Sequence, residues 1–289
     1  MTNHNFPPLD AVALADTRDA CHAYTGVLGG WTASCRQRRK HWWQLSLRPS
    51  LNGFTTGMIH ADGVHFELAL ELASNRVRGE IAGGAGFVET LGGQTADDLG
   101  RTVQEFLTAG GVAERFIPNT DAGDGHAALD GNVRDGYSAE IAASFAQVWR
   151  ELTAGYTDFQ ASIPEETSPI NLWPGHFDMA MMWLGGEKIP GQDPADEEYS
   201  DKQMNFGFSF GDGGIPEPYF YNTAYPLPDA FPGLALPGDA YWHSEGFNGA
   251  VLRYRDLVSL EDPHAALQEL WRSLLDAGRT YMLEQKAGG

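Results

Sequence analysis

The chain reads as an α+β protein in which antiparallel sheet meanders are packed by helices, in two similarly built halves. Strand-like stretches come in runs instead of alternating one for one with helices, which argues against a parallel doubly wound sheet. Four amphipathic stretches frame those runs, in the order helix, meander, helix, linker, helix, meander, helix. The halves are expected at residues 14–116 and 137–285, joined by a linker at 117–136 and sharing one compact core.

Residues 1–13 carry Pro7-Pro8 and few apolar anchors, so an extended arm is expected there. Asp16 reads as the cap of a first helix whose apolar positions Cys21, Tyr24, Leu28, Trp31 and Cys35 recur at steps of three and four. Gly26, Gly29 and Gly30 inside it each weaken a helix by about 1 kcal/mol against alanine, and suggest close packing against a sheet. His41 to Arg48 alternates, with Trp43, Leu45 and Leu47 on one side and Trp42, Gln44, Ser46 and Arg48 on the other, which predicts a strand. Asn52-Gly53 signals a hairpin into 54–59. His65 to Leu72 alternates again, and Val77 to Ile81 follows a turn at Ser74-Asn75.

Thr95 with Asp98 opens the second helix, whose face is Leu99, Val103, Phe106 and Leu107, and Gly110-Gly111 closes it. The Asp-, Gly- and Asn-rich stretch 117–136 lacks the ligand spacing of a calcium loop and reads as a solvated linker. Ile141, Phe145, Val148, Trp149, Leu152, Tyr156, Phe159 and Ile163 hold the helical period over the third helix, ended by Pro164. A second strand block follows from Ile170 to Leu252, with strands at 205–210, 219–225 and 249–252. Asp262-Pro263 starts the last helix, with Leu267, Leu270, Trp271, Leu274, Tyr281 and Met282 on its face.

Composition narrows function. Nineteen basic against 39 acidic residues give a net charge of −20, which repels phosphate backbones and anionic membranes. No nucleic-acid or membrane partner is expected. The one basic run, Arg36 to Lys40, reads as a solvated helix end, where cations suit the macrodipole, with phosphate binding as the alternative. Cys21 and Cys35 lie about 21 Å apart along one helix and cannot pair. With no leader and no apolar run near membrane-spanning length, a cytoplasmic protein with reduced thiols is expected.

Four strings, HWWQLSLRPSLNGFTTGMI, SPINLWPGHFDMAMMW, QMNFGFSFGDGGIPEPYFYNTAYP and YWHSEGFNGAVL, resemble the bacterial family catalogued as domain of unknown function 5996. The resemblance spans roughly residues 16 to 285 and implies a cytoplasmic single-chain α+β protein, with no activity, substrate or cofactor to carry over. Against that family's pattern, Gly175 stands where many members carry a second histidine before His176. Asp201-Lys202 replaces His-Glu of one branch, and Gly26 replaces its Gln.

Two short motifs carry the candidate chemistry: His176-x-Asp178 within Ser168–Trp183, and His243-x-Glu245 in Tyr241–Gly246. On a strand, residues two apart project from one face, so neighbouring pairs would offer two imidazoles and two carboxylates for acid–base catalysis or for zinc, iron or manganese. The same residues also read as structural histidines ordering strand ends. Trp42, Arg48, Trp173, Tyr219, Tyr221 and Trp242 would line a pocket for a small planar or apolar ligand, or else belong to the core. No nucleophile elbow, Walker loop, H-E-x-x-H or C-x-x-C occurs, and Cys21 and His22 point different ways on a helix. The expectation is a small-molecule-binding protein or enzyme with its His/carboxylate site between the halves; the alternative is a non-catalytic structural or interaction protein with an aromatic core.

Overall fold

The computed structural model describes residues 6–114 and 133–283. In chain order the elements are α1 (Ala15–Cys35), β1 (Arg48–Ser50), β2 (Gly53–Thr55), β3 (Ile59–Ala61), β4 (Val64–Glu71), β5 (Arg76–Ile81), β6 (Gly86–Thr90), α2 (Ala96–Ala109) and α3 (Ala139–Ala161). Then come β7 (Glu166–Thr167), β8 (Asn171–Trp173), β9 (Asp178–Lys188), β10 (Asp201–Ser209), β11 (Tyr219–Tyr225), β12 (Tyr241–His243), β13 (Gly249–Arg253), α4 (Tyr254–Val258) and α5 (Pro263–Met282). The fold is α+β with two antiparallel sheets, as the runs of strands predict. The expected linker at 117–136 lies, up to residue 132, outside the described residues. Among the described residues no helix is long and apolar enough to cross a membrane.

The described residues of Leu9–Arg150 and Asn171–Asp178 form one compact unit, and those of Met1–Pro8, Glu151–Ile170 and Met179–Gly289 form another. Helix α3 contributes to both, its residues up to Arg150 in the first and from Glu151 in the second.

In the first unit the sheet order is β1-β2-β4-β5-β6, with β3 paired to β4. Phe66↔Ile81, Leu68↔Gly79 and Leu70↔Val77 stand opposite one another and share a face. Trp31 of α1 meets Phe66 edge-on at 5.9 Å, and Phe106 of α2 lies where a Gly79 Cβ would come within 2.9 Å of it. Both helices therefore cover the same face. The other face is polar: Arg76 and Arg78 reach Glu71 at 2.6 and 3.0 Å, and Arg78 reaches Glu80 at 2.6 Å. Helix α2 begins on the expected cap, Thr95 Oγ1 accepting the Asp98 N–H at 3.0 Å.

Two sequence expectations fail in this unit. The strand expected over 41–48 is absent up to residue 46: Lys40–Leu45 is 3-10 helical, and His41 and Trp42 adopt left-handed φ of 51° and 59°. Gln44 accepts the Arg39 N–H at 2.8 Å and Ser46 Oγ donates to the Trp43 carbonyl at 2.8 Å, so side chains satisfy the backbone that a ladder would have used. Extended pairing starts only at Leu47, through its bridge to Leu172. Asp16 does not cap α1, whose cap residue is Leu14; its carboxylate instead accepts the Gly136 N–H at 3.0 Å. Close packing at the helix glycines is seen, but against a turn: a Gly29 Cβ would sit 2.6 Å from the Pro174 ring.

In the second unit the strands run β12-β13-β11-β10-β9-β7. Register places Met204, Phe206, Phe208, Phe220 and Leu252 on one face. Phe159 of α3 meets Phe206 at 4.9 Å, Tyr254 of α4 meets Phe208 at 5.7 Å, and Trp271 of α5 meets Phe220 at 6.4 Å. The helices thus share that face. Asp262 Oδ1 accepts the Ala265 N–H at 2.9 Å, the cap predicted for α5. The opposite face carries Tyr219, Tyr221, Tyr241, Val251 and Arg253.

Candidate functional site

On that opposite face, at the β12 edge, an open cleft of about 380 Å³ is lined by Glu217, Tyr241, Trp242, His243, Glu245 and Arg253, with Gly214–Pro216 and Ser244. Period-two alternation along β12 and its register with β13 put Tyr241, His243 and Val251 on the cleft side. Tyr219 stands opposite Arg253 across β11 and β13, which brings that guanidinium to the same place.

The cleft carries both charge signs. Glu217 takes Arg253 Nε at 3.2 Å and Arg255 Nη1 at 3.1 Å, and the Arg253 guanidinium stands 5.5 Å over the Tyr241 ring. His243 Nε2 lies 2.6 Å from the Glu245 carbonyl oxygen, and its ring packs on Phe247 at 4.6 Å. A carbonyl only accepts, so Nε2 carries the proton and donates, leaving the neutral ring's lone pair on Nδ1. An imidazole fixed in one tautomer at a cleft wall can take up a proton from a bound molecule.

The structure treats the predicted aromatics differently from one another. Tyr219 is buried against Ile215 and Val251, its hydroxyl donating to Asp212, and Tyr221 packs against the same cluster. The Trp242 ring turns to the helix side, donating from Nε1 to the Leu234 carbonyl at 2.9 Å and meeting Phe231 at 5.7 Å. These three hold the cleft's frame, and Tyr241 supplies the aromatic wall.

The second predicted motif behaves otherwise. His176 is not on a strand: it lies in the turn between β8 and β9, followed by Phe177 at φ 51°. His176 is exposed and Asp178 is buried, so the two do not share a face. The shared-face expectation fails because the two-residue period holds only for extended backbone. His243 and Glu245 likewise straddle the end of β12, their link running through a backbone carbonyl. Among the described residues no three His, Cys, Asp or Glu side chains group as metal ligands.

Around the His176 turn, His22 Nε2 lies 3.1 Å from the Gly175 carbonyl and its ring stacks on Phe177 at 5.8 Å. Gly175 thus meets His22 through its carbonyl oxygen. Asp201 pairs with Lys188 at 2.9 Å and Lys202 with Glu187 at 2.7 Å, which is structural ion pairing. Arg48 and Trp173 come together, since the Leu47–Leu172 bridge joins their strands and Arg48 donates to Asn171 Oδ1. Trp42 stands apart, 40% exposed, with Arg38 4.2 Å over its ring.

Sequence reasoning missed Glu217 and Arg253. Glu217 lies within a family-like string but in no chemical motif, Arg253 lies just past another, and only the β11–β13 register and the 211–217 turn bring them to His243. The strings quoted above had one usable signal, the Tyr241 that precedes Trp242.

A family of unknown function, DUF5996, matches the chain over residues 6–283, nearly its whole length. No curated protein and no solved structure matches it.

Proposed function

The chain belongs to that family, and from this premise we propose that it binds a small zwitterionic or hydroxylated metabolite in the cleft at the β12 edge. One observation carries the reading: His243, Glu245, Glu217, Arg253 and Tyr241 open onto one cavity of about 380 Å³. That size lies in the range of small-ligand sites, and a few placed polar groups beside an aromatic wall are what such sites use. Glu217 and Arg253 would orient a bound polar group, and His243 Nδ1 would accept a proton from it. Two free thiols and the charge of −20 support a cytoplasmic protein without nucleic-acid or membrane partners.

The test is a thermal-shift screen of small metabolites on the wild type, His243→Ala and Glu217→Gln. At least one compound should raise the wild-type melting temperature and leave both variants unmoved. A hit that shifts all three equally, or a blank screen, rejects the cleft. A blank screen favours the second reading, a structural or interaction protein. The framework roles of Tyr219, Tyr221 and Trp242 support that alternative.

A further inference from the structure

In the first unit two arginines are anchored at the adjacent residues Thr55 and Thr56, and among the described residues neither meets an acid. Arg48 stands on β1 directly opposite Thr55 of β2, and Arg36, just past α1, donates from Nη2 to the carbonyl of Thr56. Arg48 donates from Nη1 to Asn171 Oδ1, which also accepts from Ser46 Oγ at 3.1 Å. Both side chains are half-buried, and both bonds found go to neutral oxygens. Among the described residues neither guanidinium is within ion-pair distance of a carboxylate.

The contrast with the rest of that sheet face is direct. Arg48, Thr55, Ala69 and Arg78 form one cross-strand row, and the other arginines on this face, Arg76 and Arg78, are both paired with Glu71. Glu67, on the same face, is engaged by Thr55 Oγ1 at 2.5 Å. Burial first, and then the neighbouring Arg36 charge, hold the Arg48 guanidinium below its ordinary pKa. Burial likewise lowers Arg36. A guanidinium does not lose its proton at any physiological pH, so the repulsion persists in the folded state. Two like charges brought together out of water lack the counter-charge that makes such burial favourable.

We propose that Arg36 and Arg48 form an oxyanion site that takes the carboxylate or phosphate group of a small metabolite between their guanidinium groups. Each arginine keeps N–H donors beyond the one its protein partner uses, and the planar fork matches two oxygens of such a group. Trp173, two residues along β8 from the Asn171 that Arg48 meets, would flank the remainder of the molecule. This site is distinct from the β12-edge cleft, and all of its residues belong to the first unit.

The experiment is thermal unfolding and calorimetric titration of the full chain with inorganic phosphate and, separately, malonate, against chloride at matched ionic strength. The wild type should show saturable 1:1 binding of at least one anion, with a melting rise on the order of 5 °C near one hundred times Kd. Whichever anion saturates identifies the ligand class. Arg36→Gln and Arg48→Gln should each weaken binding at least about tenfold, while Arg101→Gln, at an exposed arginine paired with Asp98, should leave it unchanged. If Arg48→Gln does not fold, Arg48→Lys keeps the charge without the fork and should still bind about tenfold more weakly. A response that does not saturate, no heat with either anion, or equal binding in the Arg36 and Arg48 variants overturns the proposal.

Discussion

The ring of Tyr221 lies across Gly207, its cross-strand partner on β10, so closely that a Cβ on the glycine would fall 2.1 Å from Tyr221 Cζ. The first sheet repeats the device, with Phe87 across Gly79 and a Cβ at 2.3 Å. In both sheets a missing side chain lets an aromatic ring fold flat over the neighbouring strand. Gly207→Ala should therefore cost about 1–3 kcal/mol in urea unfolding, since the ring must leave its place. The same substitution in a Tyr221→Ala background should cost much less. An equal cost in both backgrounds would show that the ring is not the obstacle.

Trp271 anchors the helix layer of the second unit, stacked on Tyr156 at 4.5 Å and beside Phe159 at 5.3 Å, with 1% of its surface exposed. Trp271→Ala is expected to lose about 3–5 kcal/mol and Trp271→Phe clearly less. Denaturant midpoints of the two variants test this, and a loss below about 1 kcal/mol for the alanine variant would contradict the packing.

Arg279 grips Glu165 with two nitrogens, at 2.8 and 2.6 Å, and this pairing holds the carboxyl below its ordinary pKa. A folded pKa lowered in this way stabilises above the unfolded glutamate value, about 4.3. The contribution is lost as pH falls through the folded pKa. Glu165→Gln should thus lower stability at pH 7 by no more than about 1 kcal/mol, because the pair is partly exposed. Near pH 2 variant and wild type should converge. A gap that persists undiminished at pH 2 would assign the loss to packing.

Cys21 is fully buried, and burial pushes its thiol far above the ordinary range, whereas Cys35 is partly accessible at the end of α1. A thiol reagent should therefore modify one cysteine in native protein and two in denaturant. Cys35→Ser should abolish the native reaction. Modification of Cys21 without unfolding would show that α1 opens locally.

Much of the fold was legible because its signals are local. The caps Thr95 and Asp262 accept the N–H groups their spacing predicts, and β11 spans Tyr219–Tyr225 as its composition indicates. The alternation from His65 to Leu72 gives the inward face of β4, and Phe145 to Phe159 gives the buried stripe of α3. Each depends on chemistry within a few residues of the chain. The run 41–47 misled for the same reason, since its alternation was real but Gln44 and Ser46 offered the backbone closer partners than a strand would.

The sequence by itself determined the class of fold, the helices and their caps, most strands, and His243 with Glu245 as neighbours. Tertiary structure decided which residues those two meet. Glu217 and Arg253 reach the cleft only through the register of β11 on β13, and Arg36 comes toward Arg48 only because it bonds the Thr56 carbonyl, next in the chain to the Thr55 that stands opposite Arg48. It also separated His176 from Asp178, exposing one and burying the other by a left-handed turn at Phe177. Periodicity reports which face a side chain takes on a regular element. It carries no information on the partner across a strand, or on a turn where the period ends.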